Sequence, residues 1–418
     1  MPGNKYEVLI IGGGPGGTAA ATYLAKAGRT VLLLEKEFFP RFHIGESLLP
    51  YNRRLFDEMG LTPILEKHGF PKKYGAQFHL GNGTKSTYFV FRKGRFTREI
   101  ESYQVERATF DHLLLKHARQ CGAEVHEGWT VERFSSGKDM VTVEASDPDG
   151  QARQFQAEFL LDASGRSNLT GNQERMRQIH PDLKKIAIFG HFRNVRIDAG
   201  ERSGDTVIVR LKDKWFWLIP LAADKVSIGC VLDQAEFVRS GETPSEIFFR
   251  ICKSTPVMRD RMEHAKLCGP LQATSDFSYY NKRLVGRRLI RIGDAAGFMD
   301  PIFSAGVFLA MTTGKWAAET VIKALQRGND GERGLRKYER RAKTALETYW
   351  EMVRNFYTIP FLEVFFEPRE RFNLASTVNA VLAGELERRW SLRWRMRLFF
   401  WLVRRQAQRP FLPRLNVE

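Results

Sequence analysis

Paired cysteines are missing from this sequence. The four that it has, Cys121, Cys230, Cys252 and Cys268, are scattered, and no two form a Cys-x-x-Cys pair. Scattered cysteines argue against a disulfide framework and against a structural metal site. We therefore predict reduced, mostly buried thiols, a cytoplasmic location and no bound metal.

Long apolar runs are missing as well. No stretch reaches the roughly 18 consecutive apolar residues that a membrane-spanning helix needs. The first predicted strand begins within the first ten residues, which leaves no room for a signal peptide. The sequence has no internal repeat and no low-complexity tract. Its 418 residues, 43% of them hydrophobic, suffice for roughly two or three globular domains.

Acidic residues are few relative to basic ones. The sequence has 48 Asp and Glu against 65 Lys and Arg, which gives a net charge of +17. This excess favours anionic partners such as phosphates, acidic proteins or a membrane surface. No nucleic-acid-binding motif accompanies it, so we expect no nucleic-acid partner.

A strand–turn–helix–strand unit occupies the first 35 residues. An apolar run at 7–12 predicts a buried strand, an alanine-rich helix is expected over 18–27, and a second strand over 30–34 ends at Glu35. The turn between them satisfies Gly-x-Gly-x-x-Gly, which indicates a dinucleotide site but does not separate FAD from NAD. The predicted contacts are Gly12, Gly14, Pro15, Gly16, Gly17 and Glu35.

The chemistry of this unit is specific. Gly14 lets the backbone approach a pyrophosphate, and the helix N-terminus offers free N–H groups and the positive end of its dipole. Glu35 is placed to accept hydrogen bonds from ribose hydroxyls.

The remaining patterns predict an α/β fold with a discontinuous nucleotide domain. We expect a doubly wound, Rossmann-type domain from residues 1–70, 100–185 and 280–330. An antiparallel, substrate-binding sheet is expected from 71–99 and 186–279. Residues 331–418 are predicted to be a helical, basic C-terminal region.

Five separated elements resemble the FAD-dependent monooxygenases typified by p-hydroxybenzoate hydroxylase. They are the first unit, Arg41 with Gly45-Glu46-Ser47, Arg107 with Asp111, Asp162–Gly165, and the run Gly293–Gly297. The resemblance covers about the first 325 residues in the right order. It implies FAD as cofactor, with Arg41, Ser47, Arg107 and Asp294 among its contacts.

Two further motifs resemble the flavin-dependent halogenases. Trp215-x-Trp217-x-Ile219-Pro220 is similar to their Trp-x-Trp-x-Ile-Pro signature. Phe298-x-x-Pro301-x-x-Ser304-x-Gly306 is similar to their second signature. An alternative stays open, because geranylgeranyl reductases carry a related aromatic element and flavin hydroxylases share the FAD domain.

The halogenase resemblance implies a reaction of reduced FAD, O2 and chloride or bromide. Hypohalous acid forms near the flavin and travels to a lysine beside an aromatic substrate. Pro301 and Gly306 are then expected near the flavin, and Ser304, Ala305 and Gly306 at the halide. Trp215, Trp217, Pro220 and Phe298 would lie near the flavin or the tunnel.

Lys73 is the candidate for the catalytic lysine, because it lies where the family places it, two residues before Gly75. Lys72 is adjacent, and successive residues of a strand face opposite sides, so only one of the two can point into a tunnel.

One position departs from the tryptophan halogenases, which carry a glutamate before the serine of the second motif. Here that residue is Phe303. The departure favours a phenol or pyrrole, free or bound to an acidic acyl carrier protein. The sequence has no second glycine-rich motif, so a separate flavin reductase is expected.

The stretch from Glu387 to Arg409 is dense in arginine and tryptophan. Its periodicity does not decide between strand and helix. A packed helix, a carrier-protein dock and a peripheral membrane contact all stay open for it.

Overall fold

The first unit of the chain folds as its sequence predicts. The computed structural model describes residues 5–181, 183–275, 278–367, 370–386 and 390–417. A strand spans Lys5–Ile11, a helix Pro15–Lys26 and a second strand Val31–Glu35. Proline suits the first helical position because its φ is already helical and it has no N–H left unpaired.

The strands are numbered along the described residues. They are β1 Lys5–Ile11, β2 Val31–Glu35, β3 Lys72–Lys73, β4 Gly75–Leu80, β5 Ser86–Val90, β6 Ser102–Tyr103, β7 Glu124–Glu127, β8 Thr130–Ser136, β9 Val141–Ser146, β10 Ala152–Asp162, β11 Arg177–Ile179, β12 Lys185–Arg193, β13 Thr206–Arg210, β14 Trp215–Ala222, β15 Lys225–Asp233, β16 Lys266–Leu267, β17 Gln272–Ser275, β18 Tyr279–Asn281, β19 Val285–Gly286, β20 Leu289–Arg291 and β21 Gly297–Phe298.

The helices are numbered in the same way. They are α1 Pro15–Lys26, α2 Asn52–Met59, α3 Thr62–His68, α4 Arg107–Gln120, α5 Leu169–Gln173, α6 Gln234–Ser240, α7 Pro244–Ser254, α8 Pro256–Met262, α9 Gly306–Gln326, α10 Glu332–Phe356, α11 Ile359–Phe365, α12 Leu374–Leu382 and α13 Trp390–Gln408.

The first large sheet has the order β19-β20-β10-β1-β2-β7. Strands β20, β10, β1, β2 and β7 run parallel, and the hairpin β8–β9 joins β10 in antiparallel fashion. The α/β, doubly wound fold class is thereby confirmed. Because parallel strands end at one edge, the ends of β1, β2 and β10 lie together there, where ligands bind in such sheets.

The second large sheet has the order β16-β12-β15-β14-β13-β4-β5. Its pairs are antiparallel except for β13 and β4, which run parallel with Thr206 opposite Ala76. The predicted strand from Lys72 is broken at Tyr74, so Lys72 and Lys73 pair with β6 instead. One stretch of chain thus serves two sheets.

The C-terminal region is helical from α10 to α13. In α11, Pro360 occupies the first turn, where proline is tolerated. Helix α13 settles the ambiguous periodicity in favour of a packed helix, since Leu392, Met396, Phe399 and Val403 are buried. Residues 387–389 of the predicted basic stretch lie outside the described residues.

Within the described ranges, no helix is both long and apolar enough to cross a membrane.

Two glycines of the first turn have no room for a side chain. Gly12 has a φ of +101°, and a Cβ there would lie 2.4 Å from the carbonyl oxygen of Ala163. A Cβ on Gly17 would lie 1.9 Å from the carbonyl oxygen of Gly12. The turn between β1 and α1 therefore depends on both residues.

We expect Gly17→Ala to lower the free energy of unfolding by about 3 kcal/mol, because the new methyl group pushes α1 away from the turn. FAD binding should weaken in parallel. Gly334→Ala is the control, since its Cβ meets only the methyl of Thr320, at 3.1 Å. Urea unfolding measures the free energies, and flavin fluorescence titration measures the affinities. Equal stability of the two variants would contradict the expectation.

Candidate active site

One large cavity, of about 810 Å³, lies at the carboxyl edge of the first sheet and extends to the second. Fifteen of the predicted site residues line it. They are Gly12, Gly14, Pro15, Gly16, Glu35, Arg41, Ser47, Arg107, Trp215, Trp217, Asp294, Phe298, Pro301, Ser304 and Gly306.

The remaining predicted residues lie behind the cavity wall. Gly17 packs inside the first turn, and Pro220 of β14 pairs with Val226 of β15. Ala305 lines a neighbouring space of about 30 Å³ rather than the large cavity. Lys73 does not line the cavity itself, but it is hydrogen-bonded to Ser47, which does.

Glu35 fixes the turn at the dinucleotide end. Its carboxylate is buried and accepts hydrogen bonds from the backbone N–H of Gly13 at 2.6 Å and of Glu37 at 2.9 Å. Each oxygen has a second lone pair for a ribose hydroxyl.

The buried carboxylate of Asp111 orients two arginine side chains, those of Arg107 and Arg41. Arg107 donates from Nε to Oδ1 of Asp111 at 2.7 Å and from Nη2 to Oδ2 at 2.8 Å. Arg41 reaches the same Oδ2 at 3.4 Å. Both arginines line the cavity, and the bidentate pairing with Asp111 holds the guanidinium group of Arg107 in a fixed position.

Asp294 points its carboxylate at the same cavity. Burial raises its pKa to about 6, against the lowering effect of Arg166 and Arg107. In the described part of the chain its carboxylate accepts no hydrogen bond, although it lines the cavity. Such a group is suited to a hydroxyl of a bound ligand.

FAD fits these residues. The first-turn amides of α1 and the two arginines suit its phosphates, Glu35 suits a ribose, and Asp294 suits a hydroxylated chain.

The second halogenase motif forms a tight turn before α9. Ser304 has a φ of +55°, an unusual value for a residue other than glycine, and α9 begins at Gly306. Backbone strain of this kind is concentrated at functional sites. The first N–H groups of a helix have no partner within the helix, so those of α9 can bind an anion where Gly306 lines the cavity.

The two motifs are joined by a chain of hydrogen bonds. Trp215 donates from Nε1 to the hydroxyl of Tyr357 at 2.9 Å, and Tyr357 donates to Oδ2 of Asp300 at 2.6 Å. Trp217 donates to Oγ of Ser227 at 3.2 Å. Sequence reasoning missed Asp300 and Tyr357, because they are 57 residues apart and form no motif.

Lys73 is buried and held by oxygen atoms. Its Nζ donates to Oγ of Ser47 at 2.8 Å and to the carbonyl of Leu48 at 3.3 Å. It is 2% exposed, whereas Lys72 is exposed and pairs with Glu101 at 3.0 Å. Burial lowers the pKa of Lys73 to about 7, and Asp205 partly opposes this effect.

Ser47 connects Lys73 with the cavity. Its hydroxyl shares a hydrogen bond of 2.7 Å with Thr206, and both residues line the cavity wall. Asp205, which directly precedes β13, accepts hydrogen bonds from the N–H of Gly75 at 2.6 Å and of Tyr74 at 3.1 Å. The sequence does not predict a role for Thr206 or Asp205, because only the pairing of β4 with β13 brings them close to the site of Lys73.

Phe303 fills the position where the tryptophan halogenases carry glutamate. It is buried, and its ring meets that of Phe356 edge to face at 5.6 Å. At position 303 the chain therefore has a buried aromatic ring and no carboxylate.

Comparison with known proteins gives a consistent family. Residues 5–354 match the FAD binding domain family. A 1H-pyrrole-2-carbonyl-(peptidyl-carrier protein) chlorinase of Pseudomonas fluorescens is 30% identical over 90% of this chain and 89% of its own length. A tryptophan 2-halogenase of Chondromyces crocatus is 32% identical over 85% of this chain and 68% of its own length.

The fold agrees with a solved halogenase structure. The flavin-dependent brominase Bmp2 superimposes with a TM-score of 0.86 at 27% identity, covering 96% of this chain and all of that one.

We expect Lys73→Met to stabilise the protein most at low pH. Below pH about 7 the folded protein holds the ammonium in dry surroundings, and the penalty is complete. Between pH 7 and the ordinary lysine value of 10.5, the folded state has lost the proton while the unfolded state keeps it, so the penalty shrinks. The melting temperature should rise by roughly 3 °C at pH 6 and by little at pH 10. Calorimetry across this range measures the difference, and an effect independent of pH would contradict the assignment.

Proposed function

This chain belongs to the FAD binding domain family and, within it, to the flavin-dependent halogenases, and we propose that it halogenates a pyrrole ring carried as a thioester on a carrier protein. The observation that carries the reaction is the position of Lys73, which is buried and hydrogen-bonded to Ser47 on the wall of the flavin cavity. The chemistry that reduced FAD supplies when bound is the oxidation of halide by O2 to hypohalous acid.

The chain's own residues divide the remaining work between two ends of the cavity. The amides at the start of α9, around Gly306, bind the halide. The ammonium of Lys73 donates a hydrogen bond to the oxygen of hypohalous acid, which makes the halogen more electrophilic. The ring carbon bonds the halogen, its proton leaves, and the oxygen departs as water.

The substrate class rests on the residue at position 303. Phe303 stands where the tryptophan halogenases carry glutamate and is buried against Phe356, so this position supplies no carboxylate for the ammonium of a free amino acid. Burying such a charge without a partner is costly. A pyrrole attached through a thioester brings no charge on the ring. The relative from Pseudomonas fluorescens is named for a pyrrole-2-carbonyl substrate on a peptidyl carrier protein, which supports the proposal of a carrier-bound pyrrole.

We also propose that a separate reductase supplies the reduced flavin, since the sequence has no second glycine-rich dinucleotide motif.

The experiment supplies the chain with reduced FAD, O2, chloride or bromide, and pyrrole-2-carbonyl loaded on a peptidyl carrier protein. Mass spectrometry should show replacement of ring hydrogen by halogen, with free tryptophan and free phenols as competing substrates. We expect halogenation of the carrier-bound pyrrole in preference to both. Halogenation of free tryptophan alone would contradict the substrate assignment.

Lys73→Met should lower ring halogenation by at least about 100-fold while flavin binding and hypohalous acid formation persist. A small-molecule trap measures the released hypohalous acid. Lys72→Met is the matched control, because it removes the neighbouring, exposed lysine from the same strand. Equal halogenation by the two variants would remove Lys73 from the mechanism.

A peripheral membrane contact is a second candidate role for the C-terminal region. On α13, Trp390 is 78% and Trp401 52% exposed, and Arg397 lies on the outer surface between them. Exposed tryptophan beside arginine suits an anionic bilayer surface. Co-sedimentation with vesicles of anionic lipid should fall for Trp390→Ala/Trp401→Ala, and equal binding by wild type and variant would contradict this role.

A further inference from the structure

A basic loop lies directly outside the site of Lys73. The loop comprises residues 91–98, which follow β5, and contains Arg92, Lys93, Arg95 and Arg98. Its first residue, Phe91, is buried with its ring 5.6 Å from Nζ of Lys73. The N–H of Phe91 donates to the carbonyl of Tyr74 at 3.0 Å, next to that lysine. The loop therefore starts at the wall of the lysine site and ends on the surface.

The loop is held in place by the C-terminal helices. Asn379 of α12 donates from Nδ2 to the carbonyl of Val90 at 2.8 Å, and the N–H of Arg95 donates to Oγ of Ser376 at 3.3 Å. Arg395 of α13 stacks over the ring of Phe96 at 5.0 Å. These contacts fix the loop backbone, which carries the basic side chains, relative to Lys73.

The basic side chains of the loop differ in whether they form an ion pair. Arg92 pairs with Glu201 at 2.8 and 2.7 Å. Lys93 and Arg95 are exposed and form no ion pair with the described residues. The exposed carboxylate of Glu370 accepts a hydrogen bond from Ser376, close to the loop. It forms no salt bridge with Lys93 or Arg95 among the described residues. Lys93, Arg95 and Arg395 form a basic patch.

We propose that this patch docks an acidic carrier protein, which delivers its thioester-bound ring to Lys73 beneath. The proposal rests on the function proposed above. Arg95 is four residues from Phe91, so it lies within about 14 Å of it along the chain. A tethered substrate requires its carrier to dock near the reacting group, and opposite charge provides both steering and orientation.

The composition of the patch favours a protein over a membrane. The loop part of the patch offers charge without an exposed apolar side chain, since Phe91 is buried and Phe96 is half-buried under Arg395. Arg395 itself stacks on Trp394 of α13 at 4.4 Å, at the edge of the patch. An interfacial membrane contact needs apolar side chains to insert, and those are on α13 at Trp390 and Trp401.

The test is the double variant Lys93→Glu/Arg95→Glu. For pyrrole-2-carbonyl on a recombinant peptidyl carrier protein of net negative charge, we expect KM to rise about tenfold at low salt with kcat unchanged. The difference should narrow at high ionic strength because salt screens exposed charges. The free N-acetylcysteamine thioester of pyrrole-2-carboxylate should be halogenated as by wild type, which also shows that the variant is folded and active.

Arg333→Glu/Lys337→Glu is the matched control. These residues are exposed on α10, and the variant changes the net charge by the same amount. Its KM for the carrier-bound ring should stay close to that of wild type.

The possible outcomes separate the two proposals. If wild type halogenates the carrier-bound ring and both double variants behave alike, the docking patch is wrong and the proposed function stands. If turnover of the free thioester falls as much as that of the carrier-bound ring, the loop acts through Lys73 itself, and docking is overturned. If wild type halogenates free aromatics but no carrier-bound ring, both proposals fail.

Discussion

The burial of one ammonium group is the constraint on which the site depends. Lys73 is kept from water, yet its Nζ keeps two oxygen partners, Ser47 and Leu48. Burying a charge without partners costs several kcal/mol, so the surrounding structure must supply those oxygens at fixed positions. It does so by breaking the strand at Tyr74, which lets Lys73 pair with β6 while the following residues join the second sheet.

The same break explains the role of β13. Asp205, which directly precedes β13, accepts the N–H groups of Tyr74, at the break itself, and of Gly75, the first residue of β4. Thr206, the first residue of β13, shares a hydrogen bond with Ser47. Two consecutive residues, Asp205 and Thr206, thus satisfy the interrupted backbone and the hydroxyl that contacts the lysine. Removing either interaction would leave buried polar groups unpaired beside the ammonium.

The residues at the cofactor end of the site could be predicted from the sequence. The residues around Lys73 could be predicted only in part. The glycines around Gly12, the acid Glu35 and the alternation of Lys72 and Lys73 are local signals, since the chemistry needs those residue types at fixed spacing. Asp205, Thr206, Asp300 and Tyr357 meet their partners across more than 50 residues, and any polar residue at those positions would give the same local pattern. Their roles follow from tertiary pairing alone.

The C-terminal helices are part of the site although the family match ends at residue 354. Tyr357, just beyond that limit, links Trp215 of the second sheet with Asp300 of the motif near the flavin. Arg210, fully buried without a carboxylate partner among the described residues, faces the rings of Phe356 and Tyr357 at 5.4 and 5.2 Å. Burial lowers its pKa to about 10, so it stays charged at neutral pH and attracts both rings. The second sheet is thus closed on this side by contacts between β13 and β14 and the C-terminal region packed on them.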